Sequence, residues 1–255
     1  MRTLINRTLF AVSIAACTLF SPLAIAAVTT FVNNAAGFSA AASVAGHVSI
    51  GVEDFESSTV APATLPLPFG PTITPGVATT YFPTGTSTVR GITVQSNTLG
   101  NSPATLSPGN IYSLATASAG YVGTPDDQVS SNLPGESFDM IFNPPSGAAR
   151  AVTLTPLFFD VVSGVNFTDT MTIRVYNTVG TLIATQSFVG GHYQTEASRF
   201  AVVTTGTDNI GRINIYGAAG VTAAYGADDI EVFIDRKSTR LNSSHSTLSR
   251  MPSSA

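Results

Sequence analysis

Alternation of apolar and polar residues recurs through the second half of the chain. Phe138, Met140 and Phe142 alternate, Val152 and Leu154 lead into Leu157-Phe158-Phe159, and Met171, Ile173 and Val175 alternate again. A period of two marks a strand with one face buried. Asn177-Thr178-Val179-Gly180 reads as a turn, after which Leu182-Ile183-Ala184 and Phe188 return as a hairpin partner. Phe200 to Val203, Ile210 to Ile215 and Ile230 to Ile234 complete this series. Nearer the start, Val48, Ile50 and Val52 alternate within a strand predicted over 47–55, and a short strand is predicted over 88–94. One helix precedes them. Asn33-Asn34 can cap it, Phe38, Ala41, Ala42 and Val44 suit one apolar face, and Gly46 can end it.

Between these segments the chain is irregular. Residues 60–77 hold Pro62, Pro66, Pro68, Pro71 and Pro75. Proline lacks the ladder donor, so this stretch is expected as a surface loop or edge segment. Residues 97–135 are rich in Gly, Ser, Pro and Asn and are expected as loops around one or two weak strands, with an apolar stretch at Ile111 to Leu114. Regularly spaced strands and a single helix predict an all-β fold: an antiparallel β-sandwich, jelly-roll-like, with one short N-terminal helix. Its predicted inner face comprises Ile50, Phe138, Met140, Phe142, Leu154, Ile173, Val175, Ile213, Ile215, Ile230 and Val232.

Both ends differ from this body. Arg2 and Arg7 precede an apolar run, and Ala24-Ile25-Ala26 has the small-x-small form of a cleavage site, so residues 1–26 read as a secretory signal peptide. A membrane anchor is the competing reading, disfavoured by the break at Ser21-Pro22. Ile14-Ala15-Ala16-Cys17 also resembles a bacterial lipobox, but the apolar run continues past Cys17 where a polar tether is expected. Residues 235–255, DRKSTRLNSSHSTLSRMPSSA, turn abruptly basic and lose all apolar periodicity. They resemble the in-frame translation of a common synthetic sequencing adapter around a variable index. This segment is therefore expected to be a non-native, disordered tail. The single β-sandwich domain is then 27–234, expected to be truncated at its C-terminus.

Charge sharpens the picture. The full chain has a net charge of −4. Residues 27–234 hold five arginines, no lysine and fourteen acids, a net charge of −9. An acidic, lysine-free surface repels phosphate backbones, which argues against nucleic acid as a partner. Cys17 is the only cysteine, so a disulfide framework and a multi-cysteine zinc site are excluded.

The succession FVNNAAGFSAAA, VEDFES, ESFDMIF, TIRVYNTVGTLIATQSF, INIYG and ADDIEVFI resembles the secreted β-sandwich proteins of Gram-negative bacteria that carry a PEP-CTERM sorting tail. The resemblance spans most of 27–234. It implies export to the cell surface or beyond, and a C-terminal anchor with a Val-Pro-Glu-Pro motif. That tail is missing, and its place would be just beyond residue 234. Membrane contact is expected only through this lost anchor, or through a lipidated Cys17.

Candidate chemistry is sparse. No G-x-S-x-G occurs, and 27–234 holds two histidines, His47 and His192. His47 at the start of a strand reads as a surface or internally satisfied side chain. His192 and Tyr193, in a glycine-flanked loop, are candidate ligand-binding residues. Tyr81, Tyr112, Tyr121, Tyr193 and Tyr225 lie near turns and could serve as sugar platforms, although the chain lacks Trp. The expected function is a structural or adhesive surface protein binding extracellular polysaccharide, and not an enzyme. The alternative is a secreted hydrolase with a cryptic acidic site. Asp54, Glu56, Asp228 and Asp229 form a candidate metal site. If the VEDFES and ADDIEVFI strands meet, their repelling carboxylates would favour a structural calcium ion.

Overall fold

The computed structural model describes residues 28–55, 67–70, 72–74, 89, 91–97, 111–115, 127–131, 137–160, 170–189, 199–217 and 223–236. The signal-like segment and nearly all of the adapter-like segment lie outside them. In chain order the elements are β1 (Val28–Val32), α1 (Ala35–Ala45), β2 (His47–Glu53), β3 (Leu67–Gly70), β4 (Thr72–Ile73), β5 (Ile92–Asn97), β6 (Ile111–Ala115) and β7 (Asp127–Ser131). Then follow β8 (Ser137–Phe142), β9 (Ala149–Asp160), β10 (Thr170–Asn177), β11 (Leu182–Val189), β12 (Phe200–Thr204), β13 (Ile210–Gly217) and β14 (Ala223–Asp235).

Among the described residues every strand pairing is antiparallel, and the strands form two layers. Layer A runs β1-β12-β9-β14-β2, with β7, β6 and β3 continuing from the first half of β14. Layer B runs β11-β10-β13-β8-β5-β4. The layers join edgewise where Ile210 of β13 pairs with Ala149 of β9. Between them lies one apolar core, with Val152, Leu154, Phe200, Val202, Ile230 and Val232 from layer A. Layer B contributes Ile92, Val94, Phe138, Met140, Phe142, Met171, Ile173, Val175, Ile213 and Ile215. Alternation places these side chains on one face because successive residues of a strand point to opposite sides. Their removal from water is the main term favouring the fold.

Ten of the eleven predicted inner-face residues are buried; Ile50 is half-buried and packs against the same core. The alternation of β2 breaks near Gly51, which has φ +130°, and the pairing with β14 shifts register there. Beyond the break Val52 is exposed and Glu53 buried, and His47 at the start of the strand is buried as well. Glu53 accepts a hydrogen bond from the Phe55 amide, and Nε2 of His47 donates to the Thr204 carbonyl at 2.8 Å. His47 is thus held internally through Nε2, while its Nδ1 is buried without a hydrogen-bond partner.

The helix forms where expected. Asn34 caps it, its Oδ1 accepting from the Gly37 amide at 2.9 Å, and Gly46 ends it with φ +76°. Phe38 and Ala42 are buried against Ala151, Ala201 and Val203 on the outer face of layer A. The expected helix face is corrected at Val44, which is 91% exposed because it points away from the sheet. Helix coverage also explains why β12 is buried along its whole length: one face meets the sandwich core, the other α1. Three further corrections concern strand limits. β1 was not anticipated, β5 begins at Ile92 where a strand over 88–94 was expected, and β14 runs from Ala223 to Asp235, so that Asp235, expected as the start of a disordered tail, pairs with His47. The proline-rich stretch supplies two short strands, β3 and β4, at opposite ends of the strand order, where a missing donor costs least.

Candidate functional site

The VEDFES and ADDIEVFI strands do meet. β2 pairs with β14, Glu53 opposite Ile230 and Val52 opposite Glu231. Next to this junction β14 carries a bulge: Asp229 and Ile230 together oppose Leu154 of β9, between the pairs Asp228–Thr155 and Glu231–Thr153. Asp229 takes φ +48°, a left-handed conformation, and its amide donates to Oδ1 of Asp228 at 2.7 Å. Bulges re-aim side chains, and a non-glycine residue held in this region is a frequent mark of a functional site.

The bulge turns Asp229 onto the outer face of layer A, toward Arg199. Arg199 Nη2 lies 3.0 Å from Asp229 Oδ2, and Thr155 Oγ1 donates to the same oxygen at 3.3 Å. The Arg199 backbone is clamped in turn. Its amide donates to Asn33 Oδ1 at 2.8 Å, and its carbonyl accepts from the Asn33 amide at 2.9 Å. Asn33 has φ +50°, so the link between β1 and α1 bends to reach the start of β12.

These groups edge a cleft of about 460 Å³ between α1 and the outer face of layer A. Phe31 from β1, Phe38 from α1 and Phe233 from β14 supply its aromatic rings. Phe38 meets Phe31 edge-on at 6.1 Å and Phe233 edge-on at 5.2 Å between ring centroids. Arg199, Asp229 and Glu231 supply its charged groups, and Thr153, Asn34 and Ser39 further polar ones. The volume lies within the range of small-molecule sites, and a mostly apolar lining with a few convergent polar groups is their usual form.

A second polar cluster lies on the outer face of layer B, with Asn214 Oδ1 buried without a hydrogen-bond partner. Asp139 accepts hydrogen bonds from Arg212 at 2.9 Å, Asn97 at 2.7 Å and Asn214 at 2.8 Å, and all four residues are buried. The Arg212 guanidinium stacks 3.9 Å from the Tyr176 ring centroid, and that of Arg174 4.4 Å from the Tyr216 centroid.

Of the sequence-predicted site residues, Asp229 enters the cleft, and Asp228 braces the bulge beside it. Asp54 lies exposed just past β2. Glu56, His192 and Tyr193 lie outside the described residues, as do Tyr81 and Tyr121. Tyr112 falls on β6 and Tyr225 on β14. Among the described residues, no three His, Cys, Asp or Glu side chains converge as a metal site would require. The Asp229 carboxylate faces Arg199. Sequence reasoning missed Arg199, Glu231 and the three phenylalanines. One signal was available: with Ile230, Val232 and Ile234 facing the core, Phe233 must present an aromatic ring on the other side.

No protein-family model matches the chain, and no curated protein matches it. Solved structures do resemble it. One holds the CBM22-1–GH10 modules of the Clostridium thermocellum N-terminal endo-1,4-β-D-xylanase 10B complexed with xylohexaose: 9% identity, TM-score 0.32, over 72% of this chain and 28% of that one. This chain therefore corresponds to little more than a quarter of that protein's length. A family 29 carbohydrate-binding module complexed with cellulohexaose matches at 9% identity and TM-score 0.30, over 56% of this chain and 92% of that one. The module CsCBM6-3 from Clostridium stercorarium, in complex with cellobiose, matches at 19% identity and TM-score 0.25, over 43% of this chain and 74% of that one.

Proposed function

We propose that this chain is an exported, cell-surface β-sandwich protein that binds polysaccharide in the cleft between α1 and layer A, without catalysing a reaction. The observation that carries this reading is the composition of the cleft: the rings of Phe31, Phe38 and Phe233 line it together with the charged side chains of Arg199, Asp229 and Glu231. A sugar ring has apolar C–H faces and a rim of hydroxyls. Aromatic rings suit the faces, and charged groups in fixed positions bond the rim most strongly. Asp229 is held by Arg199 and Thr155, which suits an acceptor of fixed position. The signal-like start and the PEP-CTERM resemblance support export and surface anchoring.

The test is affinity electrophoresis of the full chain through gels holding soluble plant and bacterial polysaccharides. At least one polysaccharide should retard the protein, and Asp229→Asn, checked for folding by circular dichroism, should abolish the retardation. Identical mobility in every gel, or retardation unchanged by the substitution, would overturn the reading.

A further inference from the structure

We infer, resting on the saccharide reading above, that the ligand of the cleft carries a cationic amino sugar, such as a 2-amino-2-deoxyhexose with a free amine. The charges in the cleft support this choice. Arg199 is neutralised by Asp229 at 3.0 Å. Glu231, half-buried in the same cleft and opposite Thr153 and Val52, has no ion-pair partner among the described residues. The cleft therefore has a net negative charge centred on Glu231. The N-terminus of α1 borders it, but that terminus carries only about half an elementary charge, and the Asn34 side chain already caps it.

An anionic sugar has nothing to grip here. The four described arginines between residues 28 and 234 are all committed. Arg150 donates to the Asp208 and Gly206 carbonyls and to Asn209, Arg174 stacks on Tyr216, Arg199 holds Asp229 and Arg212 holds Asp139. A uronate or sulfate ester would meet Glu231 unscreened. An ammonium group meets an acceptor carboxylate and the electron-rich faces of aromatic rings, both favourable. The net charge of −9 over residues 27–234 attracts the same sign of ligand from a distance.

Isothermal titration of the full chain decides the matter with three oligosaccharides of equal length: glucosamine hexamer with protonated amines, its fully N-acetylated counterpart, and oligogalacturonate. The free-amine hexamer should bind about tenfold tighter than the N-acetylated one, and oligogalacturonate weakest. Glu231→Gln should bring the first two affinities together. Asp208→Asn, which makes the same charge change at the β12–β13 turn, should preserve the preference. Equal binding of the first two sugars by the unaltered protein, or a preference surviving Glu231→Gln, overturns the amino-sugar inference while leaving the saccharide reading intact. Silence from all three sugars, together with unretarded migration in the polysaccharide gels, overturns both.

Discussion

Arg212 Nη1 lies 2.9 Å from Asp139 Oδ1, and both side chains are buried on the face of layer B that points away from the sandwich core. Burying an ion pair need not stabilise a fold, because desolvation offsets the attraction. Removing one partner is a different matter. Arg212→Met leaves the Asp139 charge buried with only the two asparagine amides beside it. It should cost about 3–5 kcal/mol in chemical denaturation. The double variant Arg212→Met, Asp139→Leu should cost less than the sum of the two single changes, and a double-mutant cycle checks this.

The Arg199–Asp229 pair has the same chemistry in wetter surroundings, with side-chain exposures of 38% and 29%. Solvent screening reduces the worth of such pairs to about 0–1 kcal/mol. Arg199→Met should therefore shift the denaturation midpoint slightly, while abolishing retardation in the polysaccharide gels. A loss of stability comparable to that of Arg212→Met would show that the cleft is a structural feature of the fold.

Ile173 on β10 is fully buried and pairs across the sheet with Ile215 of β13. Ile173→Ala should cost about 2–5 kcal/mol, through lost burial and the cavity left behind. Unchanged stability would contradict the register of layer B.

The ends of α1 can be tested separately. Asn34→Ala removes the acceptor for the Gly37 amide and should cost about 1 kcal/mol. Gly46→Ala forces a side chain into a left-handed conformation at φ +76° and should cost a similar amount, about 1 kcal/mol, although nothing crowds the added methyl. Thermal melts of the two variants measure both effects.

Most of the strands, their inner face and the helix caps follow from residue pattern alone. Each depends on local rules: a period of two for half-buried strands, an asparagine at the helix start, a glycine at its end. Phe138, Met140 and Phe142 announce their common face without any knowledge of the partner strand. Local rules failed where a second partner covers the other face. β12 reads as a continuous apolar run because α1 covers its outer side, and only the assembled fold shows that. The cleft was hidden for the same reason. Phe31, Arg199 and Asp229 are separated by long stretches of chain, and no spacing connects them. The pairing of β1 with β12 and of β14 with β9 brings them together, and the bulge at Asp229 turns its carboxylate toward Arg199. Long-range pairing, not pattern, set the Asp229 carboxylate against the Arg199 guanidinium.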